Sequence, residues 1–85
     1  MKITVKYFAL LREAVGVSEE VVELTESAAT VADLRAYLSA KDEAHKAAFE
    51  NVKRIRAAVN ATMVKDSAAI ADNDEVAFFP PVTGG

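Results

Sequence analysis

The sequence predicts a small α+β domain. Three observations carry that expectation: residues alternate between faces near both ends of the chain, a capped amphipathic helix lies between them, and the length allows a single core. Alternation with period two marks half-buried strands, whereas apolar residues three and four apart mark one helix face. Eighty-five residues fill one domain near the small end of the self-sufficient range. Residues 1–81 are expected to form the folded unit, with 82–85 as a flexible C-terminal tail. The order strand, strand, helix, helix and three strands gives a mixed sheet of about five strands with one main helix across it and a shorter second helix.

The first strand is "KITVKYF", with Ile3, Val5 and Tyr7 on the core side and Thr4, Lys6 and Phe8 on the other. "ALLREAVG" reads as a short helical turn that Gly16 ends, and "VSEEVVEL" as a second strand around Val21, Val22 and Leu24, antiparallel to the first. "TVADLRAYLSAKD" is the main helix. Thr30 fits the N-cap, Asp33 stands at capping-box spacing, and Val31, Leu34 and Leu38 form the apolar stripe. "DEAHKAAFENVK" predicts the second helix, capped by Asp42, with Ala44, Ala47 or Ala48, and Phe49 facing inward. "RAAVNATMV" holds two short strands around a tight turn at Asn60 and Ala61. A polar turn at Asp72 to Asp74 feeds the last strand, residues 75–79, in which Val76 and Phe78 face one way and Ala77 and Phe79 the other.

Composition excludes several classes of function. The net charge of −3 and pI near 5.0 give no electrostatic reason to bind nucleic acid or a membrane surface, and the run Lys53, Arg54, Arg56 is too short to change that. Cysteine is absent, which removes thiolate nucleophiles and cysteine metal sites. No apolar run approaches the roughly 20 residues of a spanning helix. Met1 leads directly into the first strand without an apolar signal segment, so a cytoplasmic location is expected. The single histidine, His45, is expected on a polar helical surface. The acidic pairs Glu19/Glu20 and Asp72/Asp74 are expected to be solvated residues of turns and strand ends, because acid–base work needs a cleft between paired carboxylates. Asn60-Ala61-Thr62 matches a glycosylation sequon and is read as a turn. No metal and no directly bound cofactor are expected.

Two features stand out against that background. Alternation leaves Phe8 and Phe79 on the uncovered face of the sheet, with Met63 able to complete an apolar patch. Burying one such ring is worth about 1.5–3 kcal/mol, so a partner surface is the natural explanation. The second feature is the stretch "EVAFFPPVTGG". Two prolines fix their φ and make Phe79-Pro80-Pro81 a semi-rigid stem for Val82, Thr83, Gly84 and Gly85. Glycine suits such a tip because nothing obstructs a narrow channel and the carbonyl is open to attack. A carboxylate is a poor electrophile. It needs activation, and with no nucleotide site in the sequence that activation must come from another enzyme.

The stretches "YFALLREAVG", "TVADLRAYL", "AAVN" and above all "DEVAFFPPVTGG" resemble the MoaD family of ubiquitin-like sulfur carriers, the small subunits of molybdopterin synthase. The resemblance covers nearly the whole length. It implies a β-grasp fold, interface positions at Phe8, Met63 and Phe79 beside the stem prolines Pro80 and Pro81, and a channel in the partner for Val82 to Gly85. The implied chemistry is adenylation of Gly85 by an E1-like adenylyltransferase that uses ATP in trans. A persulfide enzyme then supplies sulfur for a thiocarboxylate. The implied partner is the large synthase subunit, in a heterotetramer of two small and two large subunits, where the sulfur builds the dithiolene of molybdopterin from cyclic pyranopterin monophosphate. Catalytic side chains are expected on that subunit. One departure is Asn73, where glycine is common; Asn accepts positive φ. Open alternatives are a carrier for thiamine or tRNA thiolation, a protein modifier conjugated through Gly85, and a plain binding module.

Overall fold

The computed structural model describes residues 1–81. In chain order the elements are β1 (Lys2–Tyr7), α1 (Ala9–Val15), β2 (Glu19–Glu23), α2 (Val31–Ser39), α3 (Glu43–Asn51), β3 (Arg56–Val59), β4 (Thr62–Val64) and β5 (Glu75–Phe79). They form one five-stranded sheet in the order β2-β1-β5-β3-β4. The central pair β1 and β5 is parallel, with Tyr7 opposite Phe78, and the other pairs are antiparallel. This is the β-grasp arrangement, in which the two ends of the chain meet at the middle of the sheet.

Alternation decides which face is covered. Ile3, Val5, Tyr7, Val76 and Phe78 are fully buried and pack against Leu11, Val31, Leu34 and Leu38 of the helices. At about 1.5–3 kcal/mol for each large side chain, this shared burial holds the helices on one face of the sheet. The opposite face carries Thr4, Lys6, Glu75, Ala77 and Phe79, none of them fully buried. Lys6 and Glu75 form an ion pair there, 3.1 Å apart.

The local signals act as their chemistry requires. Thr30 Oγ1 accepts the Asp33 N–H at 3.2 Å and the Asp33 carboxylate accepts the Thr30 N–H at 3.0 Å, so the first turn of α2 is closed reciprocally. Hydrogen bonds from the Ala29 and Thr30 amides hold the Asp33 carboxyl below its ordinary pKa. Gly16 ends α1 with φ 95°, a left-handed conformation that costs glycine little. The β3–β4 turn has φ 48° at Asn60 and 70° at Ala61, and Asn73 also takes positive φ. Asn60 ties these turns together: its Nδ2 donates to Asp74 at 3.0 Å and its Oδ1 accepts the Glu75 N–H at 3.0 Å. Asp72 accepts the Lys2 N–H at 2.6 Å. The pair Asp72/Asp74 therefore builds turns, as expected.

Four expectations are corrected. α1 is a helix of seven residues rather than a single turn, because Leu11 and Val15 both have core to cover. α3 is as long as α2, at nine residues each. Ala44 and Ala47 point to solvent. The inward stripe of α3 is His45, Ala48 and the half-buried Phe49, so His45 lies inside rather than on a polar surface.

Candidate functional site

The predicted contact residues gather where β5 leaves the sheet. Phe8 is 46% exposed and Met63 52% exposed, while Phe79, Pro80 and Pro81 are half-buried. Antiparallel pairing sets Met63 opposite Ala58 and Arg56 opposite Phe79, all on the open face. Met63, Phe79 and Pro81 line a groove of about 310 Å³ together with Arg56. Phe8 lies outside that groove, at the end of β1, where its N–H donates to the Phe78 carbonyl at 3.2 Å. Val82, Thr83, Gly84 and Gly85, the expected channel residues, lie outside the described residues. Arg56 is the member of this cluster that sequence reasoning missed. Strand pairing brings it to the stem, and its three-residue distance from Val59 in a four-residue strand gave no hint of Phe79 opposite.

The stem has a firm base. Phe78 is fully buried, meets Phe49 edge to face at 5.4 Å between centroids, and has the Arg35 guanidinium 5.5 Å from its ring centroid. Arg35 is in turn held by Asp66 at 3.0 Å and donates to the Ile55 carbonyl. One residue fixed in the core thus directs the next, Phe79, outward.

A second cluster lies on the covered side. Glu20 Oε2 accepts the Tyr7 hydroxyl at 2.7 Å and faces His45 Nε2 at 2.6 Å, while its other oxygen pairs with Lys41. His45 Nδ1 meets Asp42 at 2.7 Å. Both ring neighbours are carboxylates, which only accept, so the ring carries both protons and is an imidazolium. Burial opposes that charge, yet the hydrogen bonds to Glu20 and Asp42 prevail and raise the His45 pKa above its ordinary value. Burial likewise works against ionised Glu20, but the bonds from His45, Lys41 and Tyr7 prevail and lower its pKa. The Asp42 carboxyl is lowered by the His45 amide and ring. The Tyr7 hydroxyl is pushed far up by burial and by its bond to Glu20. Glu20 is therefore not a solvated strand-end residue. It bridges β1, β2 and α3. Among the described residues, no grouping of His, Asp and Glu could hold a metal ion, and no helix is long and apolar enough to cross a membrane.

This cluster predicts a pH dependence of stability. The raised His45 contributes fully below about pH 6.5, its ordinary value, and the contribution fades as pH rises through the raised pKa. The lowered Glu20 and Asp42 contribute above their ordinary 4.5 and 3.8 and fade as pH falls through their lowered values. Denaturant titration of the native chain and of His45→Gln should show the native advantage largest between about pH 5 and 6.5 and shrinking toward pH 9. An advantage that grows across that alkaline range contradicts the imidazolium.

Comparison with known proteins gives a family match, a similar sequence and two similar structures. A family profile described as the ThiS family matches residues 5–85. The molybdopterin synthase sulfur carrier subunit of Escherichia coli is 43% identical over 83 residues, which cover 98% of this chain and 99% of that protein. Among solved structures, the small archaeal modifier protein 1 of Haloferax volcanii superposes with a TM-score of 0.79 at 30% identity, covering 95% of this chain and 98% of that one. A ubiquitin from Caldiarchaeum subterraneum, at 21% identity, 100% and 98% coverage and a TM-score of 0.58, shares the fold.

Proposed function

The chain belongs to the ThiS family, and from that premise we propose that it serves as the sulfur-carrying small subunit of a molybdopterin synthase. The observation that carries the reading is the stem. Phe78 is locked in the core, Phe79 and Pro81 share an open-face groove with Met63, and this arrangement belongs to a chain 43% identical to a named sulfur carrier subunit of that enzyme.

The proposed chemistry is confined to Gly85. Its carboxylate attacks the α-phosphorus of ATP on an E1-like enzyme, releasing pyrophosphate and forming an acyl adenylate. The terminal sulfur of an enzyme-bound persulfide then displaces AMP to give an acyl disulfide, and a second thiol cleaves its S–S bond, leaving the thiocarboxylate on Gly85 and a disulfide on the donor. Val82 to Gly85 enter a channel of the large subunit, where the thiocarboxylate sulfur passes to cyclic pyranopterin monophosphate and water restores the Gly85 carboxylate. Two dithiolene sulfurs require two such deliveries, which suits an assembly of two small and two large subunits. The small subunit supplies the reactive end and the docking face, and the large subunit the catalytic side chains.

The test is reconstitution. Chain loaded with sulfur, mixed with the large subunit and cyclic pyranopterin monophosphate, should yield molybdopterin with about two carriers consumed per product. A second reading, conjugation of Gly85 to lysines, is favoured by the 30% identity to a small archaeal modifier protein. Isopeptide adducts of the chain on cellular proteins, with no molybdopterin formed in the reconstitution, would favour it over sulfur carriage.

A further inference from the structure

The basic run Lys53, Arg54, Arg56 has no use in the chemistry above, and the fold gives it a place. β3 is antiparallel to β5, so the start of β3 lies beside the end of β5, and Arg56 stands opposite Phe79. All three cations are exposed. Among the described residues none of them makes an ion pair or a side-chain hydrogen bond; the same holds for Lys2, Arg12, Lys46 and Lys65, and what sets these three apart is that they fall within four consecutive positions at the start of β3. A chain with a net charge of −3 thus keeps an uncompensated positive cluster at the point where its stem leaves the sheet. Arg56 also forms one wall of the groove shared by Met63, Phe79 and Pro81.

We infer that Lys53, Arg54 and Arg56 form a cationic rim that recognises carboxylate side chains on the protein receiving the tail, with Arg56 as the residue next to the apolar contact. The inference rests on the proposed docking of the open face to the large synthase subunit and names the chemistry that subunit must bring: Asp or Glu around an apolar socket for Phe79. Apolar contact supplies affinity. The rim adds approach rate and selects against partners with a basic surface. Planar guanidinium suits a carboxylate because it can donate two parallel hydrogen bonds.

The experiment is equilibrium binding of the full chain to the large subunit between about 50 and 500 mM salt, a range over which screening of exposed charges changes severalfold. Arg56→Glu should raise Kd roughly tenfold or more at low salt and flatten the salt dependence, with Arg56→Gln intermediate and Lys53→Glu and Arg54→Glu acting in the same direction. Thermal unfolding of each variant reports its fold. Phe79→Ala serves as the control on the docking reading. If Phe79→Ala weakens binding while the charge reversals leave Kd and its salt dependence unchanged, the rim is overturned and the docking face stands. If Phe79→Ala is also without effect, both fall. Equal losses for Arg56→Glu and Arg56→Met, with the native salt dependence retained, would assign Arg56 to apolar packing and overturn carboxylate recognition. Loss confined to adenylation, with large-subunit binding unchanged, would do so as well.

Discussion

Adding one residue after Gly85, or deleting Gly85, should abolish sulfur loading and leave the fold intact. One residue moves the carboxylate by up to about 3.5 Å along an extended chain, far more than an activating site tolerates when it aligns a carboxylate with the α-phosphorus of ATP. Any added residue other than glycine also brings a side chain beside the carbonyl that must be attacked. Stability should be indifferent to either change, because the buried core is drawn from residues between Ile3 and Phe78. Mass spectrometry of each variant after incubation with the activating enzyme, ATP and a sulfur donor gives the answer. Normal thiocarboxylate on the extended chain would exclude attack at the Gly85 carbonyl.

The second large effect is expected from neighbouring phenylalanines with opposite roles. Phe79→Ala should weaken binding of the large subunit by about 2 kcal/mol or more, roughly 30-fold in Kd, as truncation of an aromatic anchor does. It should change monomer stability little, since Phe79 is half-buried on the open face. Phe78→Ala removes a fully buried ring and should instead cost about 3–5 kcal/mol of folding stability. Calorimetric binding and denaturant unfolding on the same preparations separate the two. If Phe79→Ala unfolds the domain while binding per folded molecule is unchanged, Phe79 belongs to the core.

Much of the fold was legible because its signals are local. Ile3, Val5 and Tyr7 alternate strictly, Thr30 and Asp33 meet within one turn, and Asn60-Ala61 makes a tight turn between strands joined by their own backbone. Each depends on residues a few positions apart. Strand order is different: nothing in the alternation says that β5 inserts between β1 and β3, and the β-grasp expectation came from the resemblance. The outward placement of Phe8 and Met63 was likewise readable by alternation, whereas Arg56 needed the β3–β5 register.

Tyr7 was read correctly as core, but its partners Glu20 and His45 were misread for a physical reason. Polar side chains are assigned to solvent unless a partner is known, and here the partners lie 13 and 25 residues apart. A periodic signal was nevertheless present. Glu20 lies on the same side of β2 as Val22, and His45 precedes Ala48 by three residues and Phe49 by four, so both belong to inward stripes. Treating the three as one buried group, each satisfying the others, would have found them.

Sulfur carriage itself is tested most directly by the intact mass of the chain after reaction with its activating enzyme, ATP and a persulfide donor. The account predicts a product heavier by one sulfur-for-oxygen exchange, localised to Gly85 and lost again on incubation with the large subunit and cyclic pyranopterin monophosphate. A mass that never departs from the carboxylate form, with the adenylate formed and then only hydrolysed, would contradict it.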